Sequence, residues 1–104
     1  MAKFLYIYHG GKKPDSQEEI DKIMQEWGAW FGSMGDAVVD GGNPVGLSHT
    51  VISDGSIVDN GGSNPVSGYS IVTADSQDNA TRMAQECPIL KSGGSVEVAE
   101  IINM

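Results

Sequence analysis

Five apolar residues in an unbroken run, Phe4-Leu5-Tyr6-Ile7-Tyr8, end abruptly at His9-Gly10-Gly11. The run is too short for a membrane span or a signal-peptide core, and its aromatic and aliphatic content predicts a buried strand. Successive side chains of a strand point to opposite faces. Phe4, Tyr6 and Tyr8 therefore share one face, and Leu5 and Ile7 share the other. An antiparallel sheet with one wet face alternates apolar with polar residues. This strand does not, and Ile71 and Val72 repeat the pattern later in the chain. Both faces of the resulting sheet need cover. Helices supply one layer; a second copy of the chain is the simplest source of the other, so a homodimer packed sheet to sheet is expected.

The remaining elements follow from periodicity and punctuation. Ser16 and Glu19 form a capping-box pattern ahead of Ile20, Ile23, Met24, Trp27, Trp30, Phe31 and Met34, which line one face of a helix ended by Gly35. Gly28 and Gly32 lie inside it and suggest close approach of another element. A short strand is expected over 37–39 and a hairpin over 47–58, turning at Asp54-Gly55. A clear strand covers 69–74. A second helix, capped by Asp75 or Ser76, presents Ala80, Met83, Ala84 and Cys87 and stops at Pro88. The last strand covers 96–102.

Two near-identical loops, DGGNPVG at 40–46 and NGGSNPVSG at 60–68, flank the hairpin. Strands that leave and rejoin a sheet with similar geometry need similar turn chemistry, with Asn closing an Asx turn and Pro fixing the next φ. With the hairpin read as an insertion, the order becomes βαββαβ, an α+β, ferredoxin-like fold in one domain spanning 1–104.

Fourteen acids against six bases leave a charge of −8, which repels phosphate backbones and anionic lipid and argues against nucleic-acid or membrane partners. The single cysteine, Cys87, allows no internal disulfide, fits a cytoplasmic location and reads as an inert core thiol. No cofactor is implied. HGGKKP lacks the frame of a phosphate-binding loop, and DGSIVDNG lacks the acid spacing of a calcium loop.

Candidate chemistry centres on His9, at the tip of the first strand, where it could act as a general acid/base or bond a loop carbonyl. Asp40, opening the first Gly-rich loop, could orient His9 or His49, or close its own turn. His49 lies in the hairpin. A metal held by His9, Asp40 and His49 would lack any recognised ligand spacing. Trp27, Trp30 and Phe31 have core spacing, although a Trp pair near Gly28 could line a pocket for an aromatic ring. Glu97 stands between Val96 and Val98 and could face the sheet interior or the dimer seam, where burial would raise its pKa and let it act as an acid, or lie on the surface of its strand. Tyr69 opens the third main strand. Trp27, His49, Tyr69 and Glu97 are the candidate substrate-binding residues beside the candidate catalytic pair His9 and Asp40.

Four stretches together resemble the YCII-related, or DGPF-domain, family: KFLYIYHGG, WFGSMGDAVVDGG, GYSIVTADSQDNATRMAQECP and GGSVEVAEI. The resemblance implies a ferredoxin-like fold, a dimeric α/β barrel and a pocket between the sheet and the first helix with its following loop. It also implies dehalogenation or lyase-type steps on muconolactone- or hydroquinone-like rings, as in some relatives. The family's proposed catalytic pair is a His on the first helix with an Asp. Here the first helix has no His, Asp40 matches the Asp, and the DGPF stretch reads DNGGSNPVSGY over 59–69. Two functions follow as expectations. One is acid/base chemistry (elimination, isomerisation or dehalogenation) on a ring-shaped substrate. The other is a non-catalytic module that binds a small ligand or serves a neighbouring protein.

Overall fold

Backbone pairing begins at the chain start. In the computed structural model, which describes residues 1–59 and 64–104, strand β1 (Ala2–His9) is followed by helix α1 (Gln17–Met34) and strand β2 (Val38–Asp40). The hairpin β3 (His49–Val51) and β4 (Ile57–Asp59) comes next, then β5 (Val66–Ala74), helix α2 (Gln77–Ala84) and β6 (Ser95–Glu100). Four strands form one sheet in the order β2-β5-β1-β6, with antiparallel neighbours, while β3 and β4 pair only with each other. This α+β arrangement is compatible with a ferredoxin-like fold carrying an inserted hairpin.

The helix signals act much as expected. Ser16 caps α1, its hydroxyl accepting from the Glu19 amide at 3.2 Å. The Glu19 carboxylate reaches back to the Asp15 amide at 3.0 Å, one residue before the cap, so the box closes on its neighbour. Gly35 ends the helix at φ 55°. Ser76 caps α2 through the Asn79 amide. This helix ends at Ala84 rather than running to Pro88. The reason is local: the residue before a proline is pushed to extended backbone, and Cys87 sits at φ −66°, ψ 132°. Pro88 instead opens a 3-10 turn, Pro88–Ser92.

Both helices cover the same face of the sheet. Phe4, Tyr6, Tyr8, Val72 and Ala74 are buried there against Trp30, Ala80, Ala84, Cys87 and Ile89. Each large side chain so buried stabilises the fold by ~1.5–3 kcal/mol. Two polar groups anchor the layers. The Tyr6 hydroxyl donates to the Ala80 carbonyl at 2.5 Å, and the Trp30 indole N–H donates to the Met83 carbonyl at 3.0 Å. Beyond α1 itself, no described residue stands within 4 Å of a Cβ placed at Gly28 or Gly32, so the close approach expected at these glycines is not made by the described residues of this chain.

The other face carries Leu5, Ile7, Ile71, Thr73 and Ala99, all half-buried within the single chain and none covered by a helix. The molecule is accordingly a slab, 43 × 42 × 18 Å, with a radius of gyration of 14.9 Å. A compact chain of this length would have a radius of ~13 Å. Every described residue of the hairpin, 49–59, is exposed. No helix among the described residues is long and apolar enough to cross a membrane.

The two echo loops meet. The Asn43 carbonyl accepts from the Tyr69 amide at 3.3 Å, Pro44 bridges Gly68, and the Val45 amide donates to the Ser67 carbonyl at 3.0 Å. The Asn-Pro-Val of the first loop thus lies antiparallel to the Pro-Val-Ser-Gly of the second, continuing the β2–β5 ladder beyond β2. The Asx turn of the first loop is closed by Asp40, whose Oδ1 accepts from the Gly42 amide at 2.8 Å, not by Asn43. The expected turn at 60–63 lies outside the described residues.

Candidate functional site

Where the echo loops cross, α1 does not fill the space above the sheet, and a cavity of about 560 Å³ remains. Four features of sequence build it. The apolar face of α1 supplies Met24, Trp27, Gly28 and Phe31; the first Gly-rich loop supplies residues 41–44; β5 supplies residues 67–69; Tyr8 and Ile89 complete the wall. The lining is almost wholly apolar and holds no charged residue among those described. Its volume falls within the range of small-molecule sites, ~300–1,000 Å³.

The rings of the aromatic wall pack against one another. The Tyr8 ring meets Trp27 edge-on with centroids 5.0 Å apart, and Trp27 contacts Trp30 and Phe31 at 5.6 and 5.9 Å. Such pairs hold one another's planes beyond simple area burial. Behind this wall the Tyr8 hydroxyl donates to Ser70 Oγ at 2.7 Å, and Ser70 Oγ donates to the Gly41 carbonyl at 2.6 Å. Burial raises the Tyr8 phenol well above its ordinary value, so it stays a neutral donor. This chain of bonds ties β1 to β5 and to the loop that forms the cavity's side.

Gly42 holds the loop in place. Its φ is 72°, and a Cβ there would stand 1.7 Å from the Tyr69 carbonyl oxygen, so no other residue fits without moving the loop. Tyr69 lines the cavity at this crossing, and Met24, 67% exposed, stands at its mouth.

The catalytic candidates lie elsewhere. His9 stands on the uncovered sheet face, where its Nδ1 donates to the Asn64 carbonyl at 3.0 Å and its Nε2 faces Glu97 Oε1 at 3.1 Å. Both partners only accept, so an imidazolium makes both bonds and a neutral ring makes one. Asp40 is occupied by its own turn and makes no hydrogen bond to His9 among the described residues. His49 faces Asp59 across the hairpin at 3.9 Å, with the two side chains 63% and 89% exposed, a pair worth little in water. Of the roles expected for Asp40, the structure shows the closing of its own turn, and Glu97 rather than Asp40 stands beside His9. Among the described residues no three His, Cys, Asp or Glu side chains gather as metal ligands.

Of the six sequence candidates, Trp27 and Tyr69 line the cavity, His9 and Glu97 pair on the opposite face, and Asp40 and His49 join neither group. Sequence reasoning missed Ser67, Asn43 and Pro44 as wall residues. The echo of the two loops was the available signal, since similar turns beside each other in one sheet are placed to meet. Cys87 is buried, and its burial pushes the thiol up to about 11, away from nucleophilic use. The chain matches no model of a known protein family, and no curated protein matches it significantly.

Proposed function

We propose that the chain is a ligand-binding module of YCII-related, ferredoxin-like type, whose site takes a flat, largely apolar ring between α1 and the Gly-rich loop. One observation carries this reading: the 560 Å³ cavity walled by Trp27, Phe31 and Tyr8 and free of charged lining residues among those described. An aromatic wall stacks a ring, and a wall without an acid or base has no group there to move a proton. The same reading takes the uncovered sheet face as the seat of a second copy, which would close a dimeric barrel.

A second reading, acid/base catalysis on a ring-shaped substrate, draws on His9 and Glu97. Their side chains meet on the uncovered face, with His9 only 14% exposed even in the single chain. A partner sheet over that face would enclose the pair and leave it able to shuttle a proton for elimination, isomerisation or dehalogenation.

An NMR titration with 2-naphthol separates the two. Under the binding reading, shifts concentrate at the Trp27 indole N–H and the amides of Gly41 and Gly42. Trp27→Ala then weakens binding at least about tenfold, while His9→Ala leaves it unchanged. Shifts confined to His9 and Glu97, with binding lost in His9→Ala, would discard the cavity in favour of the sheet face.

A further inference from the structure

The strand pairing around the cavity contains an irregularity. Tyr8 pairs with Gly68 and His9 with Val66, so one step along β1 matches two along β5, and Ser67 is the extra residue. Such a bulge re-aims a side chain away from the simple alternation of the strand. Ser67 lines the cavity. Its Oγ is shielded from water and has no hydrogen-bond partner among the described residues.

Taking the ring-binding cavity as its basis, we infer that Ser67 is the cavity's polar selector: its hydroxyl hydrogen-bonds the single oxygen of a neutral hydroxylated or keto aromatic ligand. Three facts converge on it. A buried hydroxyl without a partner is unfavourable, and native proteins seldom retain one. The rest of the wall offers a ligand almost nothing but apolar surface. Among the described residues no bond holds Oγ in its present orientation, so a change of rotamer on ligand entry breaks none of them.

Charge narrows the class further. The described lining has no Lys or Arg, and the chain carries a charge of −8. A ring bearing a carboxylate would bury an unpaired anion in a negative protein, which is strongly unfavourable. The ligand is therefore a neutral one- or two-ring phenol or ketone, not an aromatic acid. Ser67 serves it as both donor and acceptor, since a hydroxyl is both.

The test compares three probes of one shape: 2-naphthol, 2-methylnaphthalene and 2-naphthoate, titrated against the wild-type protein and Ser67→Ala by NMR at the Trp27 indole N–H. For the wild type, 2-naphthol should bind roughly tenfold tighter than 2-methylnaphthalene, the value of one hydrogen bond, with 2-naphthoate weakest. In Ser67→Ala the naphthol advantage should vanish while 2-methylnaphthalene is unaffected. An advantage that persists in Ser67→Ala, or is absent from the wild type, overturns the role of Ser67 and leaves the cavity standing. Failure of all three probes to move the Trp27 signal overturns the cavity and Ser67 with it. Thermal melting gives a readout independent of any ligand. Ser67→Ala should melt no lower than the wild type, because the lost hydroxyl bonds no described residue; a clearly lower melting temperature would show that the protein itself satisfies Ser67, and would end the proposal.

Discussion

Gly42 and Tyr6 show how much single residues carry in a chain this small. Gly42→Ala should destabilise the fold by ~2–4 kcal/mol, because the positive φ and the collision with the Tyr69 carbonyl add together; urea unfolding measures this. Tyr6 predicts a pH effect. Burial, aided by the nearby Cys87, raises its phenol from 10.0 to about 12. The unfolded chain releases this proton from pH 10 upward while the folded chain still holds it, so stability is full below pH 10 and falls as pH rises towards 12. Urea unfolding at pH 9 and pH 11 should show a steeper loss for the wild type than for Tyr6→Phe. The caps Ser16, Gly35 and Ser76 were legible in the sequence because capping is local chemistry. The partner of His9 was not. Asp40 and Glu97 are both acids at strand positions, and strand register, which pairs Ile7 with Glu97 and so sets Glu97 beside His9 on one face, decides between them.

Among elements, the hairpin stands apart. Its pairing of His49 with Asp59 and Val51 with Ile57 follows from the Asp54-Gly55 turn, where Asp54 accepts from the Ser56 amide and hydroxyl. An isolated two-stranded hairpin contributes little to stability by itself. Replacing residues 49–57 by a short Gly-Ser link should therefore shift the melting temperature by less than about 4 °C in the monomeric state, as read by circular dichroism. The hairpin and the element order could be read from turn residues and periodicity. The beginning of β5 could not. Residues 66–68, Val-Ser-Gly, carry no strand pattern, and their extended form is imposed by β1 on one side and the first echo loop on the other. The bulge at Ser67 is invisible for the same reason: periodicity describes one strand, whereas a bulge is a property of two.

For the whole molecule, the apolar run at 4–8 anticipated a sheet greasy on both sides, and the uncovered Leu5, Ile7 and Ile71 agree with that pattern. With a charge of −8 on each chain, association must overcome mutual repulsion that salt screens. Sedimentation equilibrium at micromolar concentration should show a dimer that strengthens as salt rises from 20 to 300 mM (about a fourfold shorter screening length would follow). Ile7→Glu should return it to a folded monomer. A wild-type monomer at every salt concentration would leave the sheet face to some other role.

The slab's 18 Å thickness has a kinetic consequence. One helical layer on one sheet leaves no deep interior, and the opening beside Met24 sits at the rim. The ligand proposed for the cavity would then slip in and out sideways without prising strands or helices apart. Residence should therefore be brief, and free and occupied forms should blend into single averaged resonances rather than appear as separate peaks.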